Sequence, residues 1–484
     1  MAEDARRASA PSPRRELLVL LVAALALFTA NIAALSLPSL DDCFYAREGV
    51  EMARRGAFFT VRWNGGLNFD YPSLQIWILS RSFALLGVSD LAARLPSVLM
   101  ALAILLMTWR IGRRAVGPAA AVAGAALLAI APYFVNGARR CMMDVPLAFW
   151  ITLAMLVLIE GRRRPWAHAL LALPLGAAVL TKSVLGLLPL AVLAAAVALS
   201  RSWRAALRRP WIWLGLVAGL AIGASWSAWE WRRFGPGVLR RHYFGQIGGF
   251  AGRRLGWLAR FGGYPLLALR DFEPMFLPAL PGIVRAARRE LREHDPDRLL
   301  LLLWAVLPFV LYPLSGTQTS RYLFPIFPPL ALLGGAWLDE ALPRFARFFR
   351  ARLAPALAIA AALLFWFAPR TLTIQSNQLF KDEQRRIRAL VAPGEPIAFL
   401  GTRYWSYANP LMFYAERLLE TPSSSAAEAV ARARAHPARV LLCGAGRLAE
   451  VRAESPTVEI LFRSGDWAMV RVPAHDQAGS IDGG

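Results

Sequence analysis

The chain has 484 residues, of which 57% are hydrophobic and 18% are charged. Soluble globular proteins contain roughly 45–50% apolar and about 25% charged residues, so this composition indicates a protein with many membrane spans. The net charge of +23 comes from short arginine clusters separated by long apolar runs, which argues against a nucleic-acid partner. The three cysteines, Cys43, Cys141 and Cys443, are too few for a disulfide scaffold or a multi-cysteine metal site.

The first 369 residues alternate between apolar runs and short polar segments. Residues 1–15 are rich in Ala, Ser, Pro and Arg, so we expect a disordered, basic cytoplasmic tail. Residues 16–38 can cross a bilayer core of about 30 Å and lack a clean cleavage site, which favours a retained span over a signal peptide. Ten more candidate spans are 95–110, 118–137, 144–160, 166–181, 183–200, 211–229, 262–284, 299–315, 323–341 and 354–369. We expect about 11–13 transmembrane helices within residues 16–369.

The arginine clusters predict the orientation of these spans. They recur at 6–15, 110–114, 162–164, 201–209, 285–292 and 344–352, which fall on one side if the spans alternate. The positive-inside rule makes that side cytoplasmic. The loop 39–94 and the segment from residue 370 then lie on the outer face of a bacterial plasma (inner) membrane.

The C-terminal segment, residues 370–484, has a different pattern. Strand-like runs at 397–400, 440–443 and 467–472 alternate with helical stretches. We therefore predict a polytopic α-helical membrane protein with a small C-terminal extracytoplasmic α/β domain.

The loop 39–94 contains several polar side chains that could take part in catalysis or ligand binding. Asp41 and Asp42 directly follow the first span, and adjacent carboxylates at a membrane interface are costly to desolvate unless they are paired or functional. The alternative, that they cap the following helix, is compatible with a site beside it. Asp70 lies among aromatic residues. Arg94 lies at a boundary where positive charge is disfavoured, which favours an anionic partner.

An ordered set of motifs resembles one known superfamily. The motifs are Asp41-Asp42-x-x-Tyr45, Asn68-Phe69-Asp70-Tyr71-Pro72, Gly87, Arg94-Leu95-Pro96-Ser97, Ala138-Arg139-Arg140-Cys141-Met142-Met143-Asp144, Thr181-Lys182-Ser183-x-x-Gly186, and Arg321-Tyr322 followed by paired prolines. Across residues 20–335 they resemble the protein O-mannosyltransferase and lipid A aminoarabinose transferase superfamily. These are GT-C membrane glycosyltransferases that use polyprenyl-phosphate sugars.

The resemblance implies roles for the loop residues. Asp41 matches the proposed catalytic carboxylate of the family, and Asp42 matches the acidic residue that follows it. Tyr45 matches a donor-site tyrosine. Asp70 and Tyr71 match a Glu-Lys pair whose lysine contacts the lipid phosphate. Because Tyr71 cannot carry a fixed positive charge, another side chain must supply the phosphate contact.

Cations for that phosphate are available at other boundaries. The candidates are Arg94, Arg139, Arg140, Lys182 and Arg321. Lys182 is one of only two lysines in the chain, and its alternative role is that of a snorkelling interfacial lysine. Tyr322 adjoins Arg321 in a short external turn, and we place both in the substrate site. Asp144 heads a span, where it belongs to the site or caps the helix.

The loop 230–261 contains His242. In the aminoarabinose transferases a corresponding loop supplies a metal-binding histidine, but one histidine with scattered acids does not define a metal site here. We include His242 among the substrate-binding candidates and assign no metal ligands. No cofactor is predicted with certainty, and a divalent metal requirement stays open.

These observations predict an inverting glycosyltransferase that moves a sugar from a polyprenyl-phosphate donor to a lipid, protein or glycan acceptor on the outer face, in contact with membrane lipids. The alternative is a transporter or flippase of lipid-linked sugars, which would favour mid-membrane charges and an internal repeat. The aromatic segment 401–407 leaves a third role open, the binding of sugar or protein by an assembly factor. A strand end with core aromatics is its simpler interpretation.

Overall fold

A computed structural model describes residues 12–38, 40–244, 257–314, 319–369, 377–463 and 466–474. Residues 1–11 of the predicted disordered tail lie outside these ranges, as do parts of two predicted external loops. The described chain confirms the predicted class, a mainly helical membrane protein with a small C-terminal α/β region.

The membrane part is a bundle of helices. They are α1 (Pro13–Thr29), α2 (Leu40–Arg55), α3 (Leu74–Leu86), α4 (Asp90–Ala115), α5 (Pro118–Ile130), α6 (Pro132–Ala138), α7 (Asp144–Gly161), α8 (Ala172–Lys182), α9 (Leu188–Leu199), α10 (Arg201–Ala206), α11 (Pro210–Phe234), α12 (Pro236–Leu239), α13 (Trp257–Asp271), α14 (Phe276–Glu293), α15 (Pro296–Leu311), α16 (Phe327–Ala341), α17 (Pro343–Phe348) and α18 (Ala354–Phe367). Short 3-10 segments at Pro165–Leu171, Ser183–Leu187, Tyr312–Leu314 and Ser320–Ile326 and π segments at Arg240–Phe244 and Phe349–Leu353 join several of them. Many helices begin at proline, whose fixed φ suits the first turn.

Fewer helices than predicted can cross a membrane on length and composition alone. In the described ranges five qualify: Asp90–Ala115, Asp144–Gly161, Pro165–Leu199, Pro210–Phe234 and Pro343–Phe367. A sixth is added if α5 and α6, bent by 69°, form one span. The prediction of about 11–13 differs because several predicted spans are broken or short. The predicted span 262–284 is two helices, α13 and α14, while α1, α15 and α16 have only 17, 16 and 15 residues.

The arginine clusters meet at one end of the bundle. Arg110 and Arg114 both pair with Glu160, and Arg162 pairs with Asp297 at 2.5 Å. A further pair joins Arg289 to Glu340, and these seven charged groups come from parts of the chain that are far apart in sequence. This gathering agrees with the common side that the spacing of the clusters predicted.

The opposite end carries the C-terminal region. Asp90, the first residue of α4, accepts a hydrogen bond from the Tyr414 hydroxyl at 2.6 Å and pairs with Lys381 at 2.9 Å. The 26 residues of α4 separate Asp90 from the arginine end by about 39 Å, at 1.5 Å per residue.

The C-terminal region is a five-stranded sheet with helices around it. The strand order is β4 (Leu418–Leu419), β3 (Pro396–Leu400), β5 (Val440–Gly444), β7 (Trp467–Arg471), β6 (Glu459–Arg463), and a two-stranded ribbon of β1 (Arg62–Trp63) and β2 (Gly66–Leu67) lies in the external loop. β3 pairs in parallel with β4 and β5, while β7 pairs antiparallel with β5 and β6. The helices are α19 (Gln378–Asp382), α20 (Gln384–Leu390), α21 (Tyr404–Pro410), α22 (Ala426–Arg434) and α23 (Leu448–Glu454), with a π segment at Leu411–Ala415 and a 3-10 turn at Ala445–Arg447. The predicted strands at 397–400, 440–443 and 467–472 are confirmed.

The external loop and the C-terminal region share one hydrophobic core. Buried side chains of α2 and α3, such as Val50 and Leu79, belong to the same cluster as Phe399, Met412 and Trp467 of the C-terminal region. The loop that carries Asp41 therefore lies between the C-terminal sheet region and the helical bundle, and it packs against both.

Candidate active site

Asp41 forms an ion pair with Arg321. Arg321 Nη1 donates to Asp41 Oδ2 at 2.6 Å, and the two side chains stay 38% and 40% exposed. Asp41 lies in the first turn of α2, where the helix dipole favours a negative charge. Burial opposes charge on Arg321, but the hydrogen bond to Asp41 and the nearby Asp144 and Asp41 charges raise its pKa above the usual range. This pair is an accessible carboxylate beside a fixed cation.

Asp42 has a different environment from its neighbour. Its side chain is fully buried, Arg140 Nη2 and Nε donate to Oδ2 at 2.6 and 3.0 Å, and the Cys141 N–H donates to Oδ1 at 2.8 Å. Both oxygens are thus engaged away from solvent. We expected a catalytic role for Asp42, and the structure does not support one, because a buried carboxylate cannot reach an acceptor. Asp42 instead fixes Arg140 and the segment after α6.

Lys182 pairs with Asp144. Lys182 Nζ donates to Asp144 Oδ1 at 2.9 Å, with side-chain exposures of 12% and 5%, and it lies 5.1 Å from the centre of the Tyr322 ring. Asp144 is the first residue of α7, so it both favours the helix start and neutralises the lysine. Asp144 does not cap the helix, since the N-cap residue is Met143 and no side-chain cap hydrogen bond forms, and its membership of the substrate site stays a prediction.

The motif around Lys182 makes a tight turn. The Thr181 hydroxyl donates to the Ala177 carbonyl at 2.8 Å, and Ser183 adopts a positive φ of 43°. A Cβ on Gly186 would lie 2.3 Å from the backbone of Ala178, so only glycine permits this close approach. The turn ends α8 at Lys182 and presents its side chain to Asp144.

Tyr45 and Tyr71 pack together beside these charges. Their ring centres are 5.6 Å apart, and burial raises the pKa of both phenols. The positive charge of Lys182 opposes the shift of the Tyr71 pKa. Tyr71 occupies the position where the resembling family has lysine.

Asp70 and Glu48 are two further acidic residues of the external loop, and both are hydrogen-bonded to Asn68. Asp70 is exposed, and its N–H donates to Asn68 Oδ1 at 3.2 Å, while Asn68 Nδ2 donates to Glu48 Oε1 at 2.5 Å. Burial raises the pKa of Glu48, against the opposing hydrogen bond from Asn68. Our sequence analysis did not place Glu48 in the site. Its position seven residues after Asp41, on the same face of α2, was the signal that could have placed it near the site.

His242 connects the segment that contains Phe69 to the turn that contains Ser183. The imidazole is 2% exposed, its Nδ1 lies 2.8 Å from the Phe69 carbonyl oxygen, and its Nε2 lies 2.6 Å from the Ser183 hydroxyl. Burial lowers the pKa of His242, which favours the neutral ring that donates through Nδ1 and accepts through Nε2. Its neighbours Asp70 and Lys182 are thereby held in place, although sequence reasoning gave Ser183 no role.

The residues around His242 do not fit a resident metal. Both ring nitrogens are hydrogen-bonded, and the described ranges contain no cluster of three or more His, Cys, Asp or Glu side chains suited to a metal ion. Zinc sites usually need three or four such ligands. We therefore derive no step through a metal.

Arg94 has a structural role that differs from our expectation. It is buried and donates to the carbonyl oxygens of Ile32, Leu35 and Ser36, the last two at 3.1 and 2.6 Å. We expected an anionic ligand, but the partners of this guanidinium in the structure are backbone carbonyl groups of the segment that follows α1. Arg139 acts similarly, donating to the Leu27 and Ala30 carbonyls at 2.6 Å each.

An apolar groove leads to this cluster. It has a volume of about 620 Å³ and is lined mainly by aliphatic and aromatic side chains, with three arginines at its wall: Leu27, Leu35, Val135, Leu357, Leu364, Phe365, Arg94, Arg139 and Arg140. Because Arg140 also holds Asp42, the groove borders the charged cluster. An apolar chain with an anionic end would match this lining.

The chain resembles known lipid-linked sugar transferases in sequence. Residues 70–229 match the family described as dolichyl-phosphate-mannose-protein mannosyltransferase. Over 325 residues the chain is 31% identical to the undecaprenyl phosphate-alpha-4-amino-4-deoxy-L-arabinose arabinosyl transferase of Pectobacterium carotovorum, a match that covers 63% of this chain. It spans little more than half, 56%, of the length of that relative.

Solved structures share the fold. ArnT from Cupriavidus metallidurans bound to undecaprenyl phosphate has a TM-score of 0.74 at 21% identity, covering 94% of this chain and 97% of that one. AglB, the oligosaccharyltransferase of Archaeoglobus fulgidus, in complex with an inhibitory peptide and a dolichol-phosphate, has a TM-score of 0.57 at 14% identity, covering 90% and 70%. The chain therefore has the fold of these solved structures, and over 63% of its length it is similar in sequence to an undecaprenyl-phosphate aminoarabinose transferase.

Proposed function

We propose that the protein is an inverting glycosyltransferase that moves a sugar from a polyprenyl phosphate to an acceptor hydroxyl or amine at the outer face of a bacterial inner membrane. The observation that carries the proposal is the half-exposed pair of Asp41 and Arg321 beside Lys182. The names of the relatives, which act on or bind undecaprenyl phosphate, support the choice of donor.

Asp41 is the proposed general base. Its carboxylate lies at the surface of the site and can accept the proton of an attacking acceptor group. The acceptor oxygen or nitrogen bonds to the anomeric carbon, and the bond from that carbon to the phosphate oxygen breaks. The lipid phosphate leaves with the electron pair, and the acceptor proton passes to Asp41. Attack on the side opposite to the phosphate inverts the anomeric centre.

Arg321 and Lys182 are the proposed phosphate contacts. The guanidinium of Arg321 donates a hydrogen bond to Asp41. A lipid phosphate would compete for that guanidinium, releasing Asp41 toward the acceptor. Fixed cations near apolar surroundings stabilise the departing phosphate more than they would in water. Lys182 substitutes for the lysine that Tyr71 replaces.

The two ends of the bundle support the proposed outer face. Asp41 lies at the end that carries the C-terminal region, and the arginine clusters lie at the other end. The positive-inside rule, which keeps such clusters in the cytoplasm, favours an outward-facing site. The groove beside Arg140 would hold the prenyl chain of the donor.

The direct test supplies purified protein in nanodiscs with radiolabelled undecaprenyl-phosphate sugars and outer-membrane lipids, peptidyl acceptors or envelope glycans in separate reactions. Label transferred to one acceptor class, with release of undecaprenyl phosphate, supports the proposal. Label that crosses the bilayer of a sealed vesicle without any transfer would identify a flippase instead.

A further inference from the structure

The segment between α1 and α2 has an irregular backbone in a largely buried position. Residues 30–38, which we call the connector, are not helical, and Leu35, Ser36 and Leu37 are buried. The backbone groups of such a segment need hydrogen-bond partners from elsewhere, because they have no helix ladder of their own. The connector precedes α2, whose first turn carries Asp41, so its partners bear on the position of the proposed base.

Side chains from two parts of the protein hold the connector. Arg94 and Arg139 of the bundle donate to several of its carbonyl oxygens. The C-terminal region contributes Lys381, whose Nζ donates to the carbonyl oxygens of Ala33 and Ala34 at 2.8 and 2.9 Å. The connector is therefore fixed by partners that are distant from it in the sequence.

The Tyr414 hydroxyl binds the connector near the end that leads to α2. It accepts a hydrogen bond from the Leu37 N–H at 2.6 Å and donates to Asp90 Oδ1 at 2.6 Å. Asp90 Oδ2 pairs with Lys381 Nζ at 2.9 Å. Tyr414 and Lys381 therefore share one carboxylate, and each of them also binds the backbone of the connector.

Two neighbouring amide side chains of the C-terminal region extend these contacts to α2. Gln378 Oε1 accepts a hydrogen bond from the Ser36 N–H at 3.0 Å, and Asn377 Nδ2 donates to the Leu37 carbonyl at 2.8 Å. Asn377 Nδ2 also lies 3.6 Å from Cys43 Sγ on α2. The C-terminal region thus contacts both the connector and the helix that follows it.

The connector also forms part of the wall of the apolar groove. Leu35, Ser36 and Pro38 line this groove, which is the proposed place of the prenyl chain of the donor. A shift of the connector would therefore move the groove wall and the start of α2 together. A displacement of about 1 Å at a reacting group can slow a reaction about 100-fold. Contacts that fix the connector can thus influence both donor binding and the chemical step.

We propose that Tyr414 and Lys381 are positioning residues for sugar transfer, which act through the connector on the donor groove and on Asp41. The inference rests on the proposed function and gives the C-terminal region a part in it. A purely structural role for the two side chains would lower the amount of folded protein and leave donor binding and the transfer rate per folded molecule unchanged.

The test compares two buried tyrosines of the C-terminal region that each lose one hydroxyl. Tyr414→Phe removes the acceptor of the Leu37 N–H. The matched control is Tyr407→Phe, because the Tyr407 hydroxyl donates to the Asp466 carbonyl at 3.2 Å, within the C-terminal region. In Tyr414→Phe we expect about tenfold faster amide hydrogen exchange in the connector, followed by mass spectrometry. The connector of Tyr407→Phe should exchange like that of wild type.

Donor binding and transfer give two further measurements. In Tyr414→Phe the Kd for undecaprenyl phosphate, measured by native mass spectrometry in detergent, should rise about tenfold. With an undecaprenyl-phosphate sugar, kcat per folded molecule should fall about tenfold while the acceptor KM stays unchanged. Lys381→Met should act in the same direction, and Lys381→Arg, which keeps a positive charge and N–H donors, should restore most of the loss. These two variants decide the question if Tyr414→Phe does not fold.

Three results would overturn the inference. They are unchanged exchange in the connector of Tyr414→Phe, faster exchange with unchanged donor binding and transfer per folded molecule, and equal losses in Tyr407→Phe. A wild-type protein whose binding of undecaprenyl phosphate depends on Tyr414, but which transfers no sugar to any acceptor, would refute the proposed function alone.

Discussion

Oδ2 of Asp41 accepts a hydrogen bond from Nη1 of Arg321 at 2.6 Å, although 280 residues separate the two in the chain. The next residue, Asp42, is fully buried against Arg140, 98 residues away. Two adjacent carboxylates therefore have separate tasks: one is accessible to substrates and one is a structural counter-ion.

Asp41→Asn should reduce sugar transfer by about 100- to 10,000-fold, the usual contribution of a general base. The amide keeps the shape of the side chain and can still contact Arg321, so the thermal unfolding midpoint in detergent should stay near that of wild type. Glu454→Gln, at an exposed carboxylate of the C-terminal region, is the control and should retain full activity. An active, well-folded Asp41→Asn protein would remove Asp41 from the mechanism.

Arg321 and Asp41 should show strong coupling in a double-mutant cycle. If Arg321 both positions Asp41 and contacts the lipid phosphate, Arg321→Gln should lower kcat and raise the donor KM. The double variant should lose much less than the sum of the two single losses, because both substitutions disable one unit. The transfer rates of the two single variants and the double variant are compared at saturating acceptor and varied donor concentration. Strictly additive losses would mean that the pair does not act together.

Asp42→Ala should lower the stability of the protein and leave the transfer rate of the folded molecules nearly unchanged. Removing one partner of a buried ion pair costs about 3–5 kcal/mol, because the remaining charge is left uncompensated. We expect a lower unfolding midpoint and activity that falls in proportion to the folded fraction. Transfer rates should therefore be normalised to the folded protein recovered by size-exclusion chromatography. A stable Asp42→Ala variant with abolished transfer would restore Asp42 as a catalytic candidate.

We expect Lys182 to bind the donor phosphate in addition to forming its ion pair with Asp144. Lys182→Met leaves buried Asp144 unpaired, so folding should suffer. The double variant Lys182→Met/Asp144→Asn removes both charges and should recover much of the folded protein. Its KM for undecaprenyl-phosphate sugar should nevertheless remain at least tenfold above that of wild type. Recovery of normal donor KM in the double variant would limit Lys182 to a structural role.

The buried histidine should make stability depend on pH. The pKa of His242 is lowered from 6.5 by burial, against an opposing effect of Asp70. The unfolded chain therefore takes up the proton more readily, so this stabilising contribution is complete above about pH 6.5 and declines as the pH falls below it. Protonation of Nε2 also removes the acceptor of the Ser183 hydroxyl.

The measurement compares unfolding midpoints at pH 7 and pH 5. His242→Gln should lower the midpoint at pH 7 and reduce the difference between the two values. His294→Asn, at an exposed histidine with a positive φ, should behave like wild type. A pH difference that is unchanged in His242→Gln would assign the effect to other groups.

The shared hydrophobic core also changes how the C-terminal region can be tested. We expected residues 370–484 to form a small extracytoplasmic α/β domain. Side chains of α2 share a cluster with Phe399 and Trp467, so deletion would expose the core beneath Asp41. Point substitutions such as Tyr414→Phe are the cleaner probe.

The sequence by itself determined the membrane class, the clustering of arginines on one side, the late β-strands and the order of the motifs. Each is a local property, because hydrophobic run length, charge placement and alternation reflect the surroundings of neighbouring residues. Only the tertiary structure decided that Asp41 meets Arg321, that Arg94 holds backbone carbonyls, and that Lys182 pairs with Asp144. The packing of distant helices decides which charged residues pair. This packing cannot be read from the periodicity of the residues that neighbour each charge in the sequence.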